Sequence, residues 1–346
     1  MKRQLYISGL SKLGDYIKDF LANDPLQQNE KFSDFNSIIR KSEIDNPWFT
    51  EENQKYALNE WTTLLNEENL SEWLQDYRFS ETPKKIGLVL AGNIPLVGFH
   101  DVICTVLSGN IAVIKPSSKD KMMIPFLLKK WNEFSKPLPI PFEIVEKLTD
   151  YDAVIATGSN NTARYLEYYF KNSLSLIRKN RTSVAVLSGE ETDEEIRALA
   201  NDIFRYFGLG CRNVTRLFIP KNFLLERLFE NFMDFQEVIH HHKYANNYDY
   251  NRAIYLLNQE KFWDNNFVLL KEDEKLFSPL AVLHFSRYEQ TDEVHQFIKE
   301  NEENIQCIVA QPQLGISNSI NMGNAQKPSL STYADNVDTM RFLEAI

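Results

Sequence analysis

Short apolar runs alternate with longer amphipathic stretches through the middle of the chain. The runs IGLVLAG, IAVIKP, DAVIATG and SVAVLSG begin at residues 86, 111, 152 and 183, and helix-like segments separate them. Strand-like runs that alternate with helices predict βαβ units, and therefore a parallel sheet covered on both faces. We therefore predict an α/β fold, in which ligands bind at the carboxyl ends of the strands.

The segments on either side of this region have different patterns. Residues 1–80 are polar and helical, with aromatic side chains spaced to cover one face. The run VTRLFIP at residue 214 opens a second α/β segment, in which a helix over 223–242 precedes further strand candidates. These candidates are RAIYLLN, AVLHF and IQCIVAQ, which begin at residues 252, 281 and 305.

These patterns predict four parts of the chain. Residues 1–80 form a helical segment that packs on the next domain, and residues 81–204 form a dinucleotide-binding domain. Residues 205–312 form a second α/β domain that contains a cysteine after a glycine-rich turn. The polar residues 313–346 return over the surface of a domain or of a neighbouring subunit.

Composition and charge exclude several classes of protein. With 38 basic and 48 acidic residues, the net charge of −10 argues against nucleic-acid binding as the main function. No uncharged apolar stretch approaches 18 residues, and charged residues interrupt the amphipathic N-terminus, so we expect neither a membrane span nor a signal peptide. Three cysteines in 346 residues form no disulfide framework and fit a reducing cytoplasm.

A basic turn follows the second strand-like run. Lys115 ends the strand, and Ser117, Ser118, Lys119 and Lys121 come directly after it. At the carboxyl end of a parallel strand, a lysine can bond ribose hydroxyls and the further lysines can neutralise a phosphate. From the spacing alone, a solvated basic turn before a helix is an equally good interpretation.

A second phosphate-binding turn is predicted after the third run. The strand leads into Thr157, Gly158 and Ser159, and Ser159 is placed to cap the next helix. Glycine allows close backbone approach, and the N–H groups at a helix start attract phosphate. An ordinary capped turn between a strand and a helix is the alternative.

Asn93 lies between the end of the first strand and Pro95, a residue suited to the first turn of a helix. A side-chain amide there could donate a hydrogen bond to an oxyanion. The alternative is an asparagine that adopts a difficult turn conformation.

The three cysteines differ in their surroundings. Cys104 and Cys307 lie in apolar runs, which predicts packing roles. Cys211 follows Gly-Leu-Gly and precedes Arg212, which can lower the pKa of a thiol if it points inward. The residues alone leave a nucleophile and a buried thiol as equal alternatives for Cys211. No metal site is expected at residues 240–242, because three consecutive histidines on a helix point in different directions.

Taken in order, these stretches resemble the aldehyde dehydrogenase superfamily. The motifs are LAGNIPL, LSGNIAVIKPSS, IATGSNNTA and GLGCRNVTRLFI, with a weaker counterpart in KLFSPLAVLHF, and they cover about residues 85–285. The G-x-G-x-x-G fingerprint is absent. The short length, the polar helical start and the tail NMGNAQKPSLSTYADNVDTM resemble, more narrowly, the long-chain acyl-CoA reductases of the bioluminescence fatty-acid-reductase type.

The resemblance implies a fold and a set of roles. The fold is a Rossmann-type parallel-sheet cofactor domain joined to a second α/β catalytic domain. Cys211 becomes the nucleophile, and Asn93 becomes the oxyanion-hole side chain beside the Cys211 backbone N–H. Lys115 becomes the ribose contact, and Gly158 with Ser159 the turn that binds the cofactor phosphate.

Departures from the superfamily pattern narrow the reaction. The E-L-G-G-K segment, whose glutamate activates water in oxidising members, aligns near LIRKNRTSV, where Ile177 or a neighbour replaces it. An enzyme that passes its acyl group to or from CoA needs no such base. The resemblance therefore implies reduction of an acyl-CoA thioester to a fatty aldehyde through a thioacyl-cysteine.

Two further departures concern the cofactor. Ser118 replaces a glutamate that would repel a 2′-phosphate, and Lys119 and Lys121 lie nearby, so NADPH is expected. At the E-x-F motif, Lys275 takes the place of the glutamate and Glu274 lies one residue early.

Three alternative functions use the same fold. They are a CoA-independent aldehyde dehydrogenase, an acyl-phosphate reductase, and a non-catalytic assembly subunit. The acyl donor is CoA, a carrier protein or a partner synthetase that transfers its acyl group. Related folds assemble through a strand near the catalytic domain, so a homo-oligomer is a further expectation.

Overall fold

A computed structural model describes residues 1–23 and 29–346. Residues 24–28, which belong to the predicted helical segment 1–80, lie outside the described residues. The chain divides into two compact units. The first comprises Met1–Lys179 with Ser329–Ile346, and the second comprises Asn180–Pro328.

The described residues contain strands and helices in the following order along the chain. The strands are Lys85–Val89 (β1), Ile111–Lys115 (β2), Phe142–Ile144 (β3), Ala153–Thr157 (β4), Leu174–Arg178 (β5), Thr182–Val186 (β6), Val214–Pro220 (β7), Trp263–Asp264 (β8), Leu269–Glu272 (β9), Val282–Tyr288 (β10), Ile305–Ala310 (β11) and Ser319–Ile320 (β12). The α-helices are Lys2–Ala22 (α1), Ser33–Asp45 (α2), Glu51–Leu64 (α3), Glu67–Leu74 (α4), Phe99–Leu107 (α5), Met123–Phe134 (α6), Asn160–Tyr169 (α7), Asp193–Phe204 (α8), Glu226–Phe232 (α9), His242–Leu257 (α10), Thr291–Glu300 (α11) and Thr339–Glu344 (α12). None of these helices, within the described ranges, combines the length and the apolar character that crossing a membrane requires.

The first unit is built on a parallel sheet. Its five strands, counted over the described residues, lie in the order β3-β2-β1-β4-β5. On one face, Val113, Val154 and Ala156 pack with Leu148 and Phe170 in a buried cluster. Since β1 lies between β2 and β4, the turns that follow these three parallel strands lie side by side at the carboxyl-terminal end of the sheet.

Helix α1 packs within the first unit along a strongly apolar face. Leu10, Leu13 and Ile17 are fully buried on it, and their spacing is that of one helical face. The indole of Trp131 on α6 donates a hydrogen bond of 2.9 Å to the carbonyl of Tyr6 on α1. This bond satisfies the indole N–H in a buried place, so α1 is a structural part of the unit.

The second unit is built on a larger sheet. Within the described residues its seven strands lie in the order β12-β11-β6-β7-β10-β9-β8, and all pairs are parallel except β8 with β9. Successive residues of β6 face opposite sides: Val184 and Val186 pack in one buried cluster and Ala185 in the other. This alternation is the two-residue period of a strand covered on both faces.

The main departure from the sequence prediction concerns SVAVLSG. We placed this run in the dinucleotide-binding domain, but β6 pairs with β7 and β11 in the second sheet. The unit boundary therefore lies between Lys179 and Asn180, whereas we predicted it between residues 204 and 205. The C-terminal segment is also divided, because residues 313–328 belong to the second unit and residues 329–346 to the first.

Local pattern also misled the prediction in three places. RAIYLLN is the end of helix α10 and not a strand, because Tyr244, Tyr248, Asn251 and Tyr255 form one buried helical face. LSLIR, which we did not predict as a strand, forms β5 at the edge of the first sheet, where Leu174 is exposed. The helix after β1 begins at Phe99, so the proline at 95 lies in the preceding turn.

Candidate active site

The turn before Cys211 is held by one buried side chain. The Asn213 Oδ1 atom accepts a hydrogen bond of 2.8 Å from the N–H of Gly210. Its Nδ2 atom lies within 2.9–3.2 Å of three carbonyl oxygens, to which it donates, at Asp202, Ile203 and Arg205. Asn213 is fully buried and all these bonds lie within the second unit. The amide therefore ties the end of α8 to the turn and fixes the backbone that presents Cys211.

Cys211 itself is half-buried and touches several polar groups. The Ser183 hydroxyl donates a 3.0 Å hydrogen bond to the Cys211 carbonyl. The Cys211 thiol lies 3.8 Å from the Oδ1 atom of Asn180, to which it donates. The Nε atom of Arg212 donates to the carbonyl of Ala325, so this guanidinium is bound to a backbone oxygen of the same unit.

A cavity of about 300 Å³ with a mixed polar and apolar wall opens beside the turn within the second unit. Gly208, Leu209 and Gly210 form part of its wall, and Asn180 lies at the wall as well. The apolar and aromatic lining residues are Ile203, Phe204, Phe207, Val214, Tyr244, Val268, Phe277, Pro279, Leu280, Ala281 and Val282, and the other polar ones are Arg181, Thr182, Thr215 and Ser278. Gly210, the residue before Cys211, lines the cavity, and the wall offers both apolar side chains and polar groups to a ligand.

The two other thiols lie in apolar surroundings, as predicted for packing residues. Cys104 is fully buried, and burial raises the pKa of its thiol well above the usual value. Cys307 packs against the core of the second unit, its sulphur 3.0 Å from the Ser183 hydroxyl, and burial raises its pKa as well. A raised pKa keeps both thiols protonated, and a protonated thiol is a poor nucleophile.

Metal-ligating side chains do not converge over the part of the chain that the structure describes. No group of three or more histidine, cysteine, aspartate or glutamate side chains there could hold a metal ion. In the histidine triplet, His240 pairs with Glu237 at 3.4 Å, and the ring of His241 packs against Phe207 at 4.4 Å between centroids.

In the first unit, the turns after β1 and β2 are packed closely together. A Cβ atom on Gly92 would lie 2.5 Å from the Ser117 hydroxyl, so only glycine fits there. One residue later, Asn93 begins the turn that leads to Leu96, whose φ of 61° is in the left-handed region. The N–H of Leu96 donates to the Oδ2 atom of Asp120 at 3.4 Å. The turn that carries Asn93 is therefore fastened to the turn after β2.

The turn after β2 contains most of the predicted cofactor residues. Lys115 is half-buried at the strand end, whereas Ser118 and Lys119 are exposed. The hydroxyl of Ser117 accepts a 3.2 Å hydrogen bond from the N–H of Lys119, which closes the turn. The ammonium group of Lys121 lies 3.1 Å from a carboxylate oxygen of Asp45, so its charge is shared with that ion pair.

Asp120 in the same turn has one oxygen without a partner. The residue is buried, and burial raises the pKa of its carboxyl to about 6. Its Oδ2 atom accepts from Leu96, whereas Oδ1 has no hydrogen-bond partner among the described residues. A buried oxygen of this kind is satisfied when a hydroxyl or N–H donor is placed against it.

The turn after β4 has the capped geometry that the sequence predicts. The Ser159 hydroxyl accepts a 3.3 Å hydrogen bond from the N–H of Thr162 and caps helix α7. A Cβ atom on Gly158 would lie 2.8 Å from the Cγ2 atom of Thr162. Thr157 ends the strand. The turns containing Asn93, Lys115–Lys119 and Thr157–Ser159 therefore all lie at the carboxyl-terminal end of the first sheet.

The stretch predicted to replace the superfamily glutamate contains a buried arginine. Both oxygens of Asp101 accept hydrogen bonds from the Nη1 atom of Arg178, at 2.7 and 2.6 Å, and Thr339 accepts one from Nη2 at 2.8 Å. Burial opposes the charge of Arg178, but Asp101 outweighs that effect and raises the pKa. The guanidinium is thus a permanent cation in a fixed ion pair and supplies no base.

Two residues of the site were missed at the sequence level. Arg178 pairs with Asp101 across 77 residues of sequence, and no local pattern indicates such a contact. Asn180 lies between two strands in a stretch that the motifs mark only by a missing glutamate.

Several solved structures of aldehyde dehydrogenases have a fold similar to that of this chain. The aldehyde dehydrogenase KauB from Pseudomonas aeruginosa is 13% identical, with a TM-score of 0.63 over 89% of this chain and 72% of that chain. An NAD-dependent benzaldehyde dehydrogenase from Corynebacterium glutamicum is 12% identical, with a TM-score of 0.65 over 94% and 83%. The chain has the aldehyde dehydrogenase fold. The predicted α/β architecture is confirmed.

Two further comparisons concern another solved structure and a protein family. A mutant of aldehyde dehydrogenase C from Pseudomonas syringae, in complex with NAD⁺ and octanal, is 14% identical, with a TM-score of 0.62 over 90% of this chain and 73% of that chain. The family model described as "Acyl-CoA reductase (LuxC)" matches residues 62–227. No curated protein matches at a significant level. The predicted resemblance is confirmed, and the family match with this aldehyde dehydrogenase fold supports an oxidoreductase that acts at the aldehyde level.

Proposed function

We propose that this aldehyde-dehydrogenase-fold protein reduces a long-chain acyl-CoA thioester to the fatty aldehyde with NADPH, through a thioacyl intermediate on Cys211. The observation that carries the proposal is the Cys211 turn, which presents a half-buried thiol next in sequence to Gly210, a residue that lines a cavity with several apolar and aromatic side chains. The match to the acyl-CoA reductase family supports the same substrate class. The cavity would receive the apolar part of the acyl group.

The nucleophilic step needs only the thiol and hydrogen-bond donors. The thiolate of Cys211 attacks the thioester carbon, the bond to the CoA sulphur breaks, and CoA leaves as its thiolate. The backbone N–H of Cys211 and the side-chain amide of Asn93 would donate to the oxyanion that forms. The bonds of Asn213 and Ser183 hold the turn in place, so this N–H is preorganised for the reaction.

The lack of a carboxylate in the stretch LIRKNRTSV favours reduction over hydrolysis. LIRKNRTSV contains no carboxylate, and the Arg178 guanidinium is held by Asp101. A thioacyl-enzyme that lacks a water-activating base survives long enough to be reduced or to return its acyl group to CoA.

The residues in the turns after β1, β2 and β4 fit a nicotinamide dinucleotide. Lys115, half-buried at the end of β2, would donate to a ribose hydroxyl. Gly158 has no room for a side chain, because a Cβ atom there would lie 2.8 Å from the Thr162 Cγ2 atom, and it precedes the capped start of α7, where phosphate would bind. When bound, the cofactor supplies the hydride. Its binding by a protein of the same fold, the aldehyde dehydrogenase C mutant seen with NAD⁺, supports this class of cofactor.

We expect Ser118→Glu to reverse the preference for NADPH. A carboxylate at this exposed position would repel the 2′-phosphate and bond both ribose hydroxyls, so KM for NADPH should rise by about tenfold or more while KM for NADH stays equal or falls. Initial rates with both cofactors measure this change. Ser71→Glu, at an exposed position on α4 of the same unit, is the charge control. An unchanged ratio of the two KM values would remove Ser118 from the cofactor site.

The proposed reaction is tested by product analysis with the wild-type protein. With a long-chain acyl-CoA and NADPH, we expect one free CoA thiol and one aldehyde for each NADPH consumed. Oxidation of aldehyde to acid without CoA would replace the proposal with a CoA-independent dehydrogenase, and turnover of an acyl phosphate alone with an acyl-phosphate reductase. A Cys211 that reacts with no acyl donor, including carrier-bound acyl groups or a synthetase, would indicate an assembly subunit.

A further inference from the structure

Asn180 lies where the two units join along the chain, in the connector between β5 and β6. Its side chain is exposed, and its Oδ1 atom lies 3.8 Å from the Cys211 sulphur. Both residues belong to the second unit, so this contact is internal to it. No motif or family likeness assigns a role to this amide.

The same residue also lines the cavity beside the Cys211 turn. Cys211 is not part of the cavity wall, whereas Gly210 and Asn180 are. An acyl group bonded to the Cys211 sulphur would have its first atoms close to the Asn180 amide, whose oxygen lies 3.8 Å from that sulphur. The amide is placed to touch both the nucleophile and the first atoms of the group that it carries.

We propose that Asn180 is a further catalytic residue, whose amide stabilises the reactive thiolate and keeps the acylated enzyme from being hydrolysed. The second half of this inference rests on the proposed function. An asparagine amide carries both an acceptor oxygen and a donor NH₂ group. It accepts from the thiol and, after rotation, donates to the thiolate without taking up a proton itself.

The chemistry of the step leaves Asn180 unchanged. The carbon–sulphur bond to Cys211 forms as the bond to the CoA sulphur breaks, and the departing CoA thiolate takes its proton from solvent. A carboxylate at the same place could remove a proton from water, which would then attack the thioacyl carbon and release the acid. An uncharged amide cannot do this, so the acyl group is retained.

Other charged and titratable groups also lie near the Cys211 turn. Arg181 precedes β6 and Arg212 follows Cys211, with its Nε atom bound to the Ala325 carbonyl. Asp202 on α8 accepts from Gly323 and Ala325, and burial raises its pKa to about 7. Because the tested variants leave these groups in place, a difference between them reports on position 180.

The first test is the pH dependence of alkylation of Cys211 by iodoacetamide, followed on the Cys211 peptide by mass spectrometry. A carboxylate about 4 Å from the sulphur should raise the thiol pKa, so Asn180→Asp should shift the profile upward by about one pH unit. Asn180→Ala should also shift the profile upward and slow alkylation below the thiol pKa, because less of the thiol is ionised there, and Asn180→Gln should restore part of the rate. Asn318→Asp, exposed and in the same unit, is the matched control.

The second test measures release of CoA from acyl-CoA in the absence of NADPH. The wild type should release one equivalent and then stop, whereas Asn180→Asp should continue to release CoA and free acid at least about tenfold faster. Identical alkylation profiles for Asn180→Asp, Asn180→Ala and the wild type would overturn the proposal. So would a shifted profile without added hydrolysis. If wild-type protein releases no CoA, the proposed function fails, and the alkylation profiles alone then decide whether Asn180 stabilises the thiolate.

Discussion

Cys211→Ala should abolish the reduction of acyl-CoA, with a fall in kcat of at least about 10⁴-fold. The loss is expected because no other group can form the thioacyl bond, and removal of a nucleophile leaves only binding and oxyanion stabilisation. The other two thiols cannot substitute, since burial raises the pKa of both Cys104 and Cys307. The measurement is NADPH consumption with a long-chain acyl-CoA, together with trapping of the acyl-enzyme by mass spectrometry.

Cys307→Ser is the matched control for this prediction. It removes a thiol of the same unit, and its hydroxyl can keep the contact with Ser183. We expect this variant to retain turnover and to acquire one acyl group, whereas Cys211→Ala should acquire none. Turnover that persists in Cys211→Ala would make Cys211 a packing residue and discard the thioacyl route.

Asn93→Ala should lower kcat by about 10²–10³-fold. This range is the cost of removing one side-chain donor from an oxyanion hole. The effect should fall on kcat with little change in KM, because the hydrogen bond strengthens only as charge develops on the oxygen. Steady-state kinetics with acyl-CoA, together with NADPH binding followed by fluorescence, separate the two parameters.

Asn93→Asp sharpens the same test, because it retains the shape of the side chain but replaces its donor by an acceptor. We expect it to be at least as impaired as Asn93→Ala, while NADPH still binds both variants. A parallel loss of NADPH affinity would instead place Asn93 among the cofactor contacts. A contact with the cofactor would be explained by the position of Asn93, because its turn is tied to the turn after β2 through Leu96 and Asp120.

Sequence pattern predicted the strands that are buried on both faces. β1, β2 and β4 are continuous apolar runs, and turn residues mark their ends. β5 lies at the sheet edge and carries partly exposed side chains, so its sequence lacks that signal. The assignment of β6 to a sheet depended on its partners β7 and β11, which are distant in sequence. Local pattern therefore shows where a strand lies more readily than it shows which strands pair with it.

In the candidate site as well, some features follow from the local sequence and others depend on contacts between distant residues. Lys115, Ser159 and Cys211 follow strands or glycine-rich turns, so their places could be read from adjacent residues. The contacts that orient them could not, because Asn180 meets Cys211 across 31 residues and Ser183 meets it across 28. Such pairs arise from the strand order of the second sheet, which no single stretch specifies.

The division of the first unit into two separated segments has a consequence for the order of folding. Its last segment supplies the Leu330 carbonyl that lies 2.9 Å from His100, the Tyr333 hydroxyl that bonds Trp73, and Thr339 beside Arg178. These residues leave the ribosome after the whole of residues 180–328. The unit that contains Cys211 can therefore fold first during synthesis, and the unit whose strands begin earlier completes its fold last.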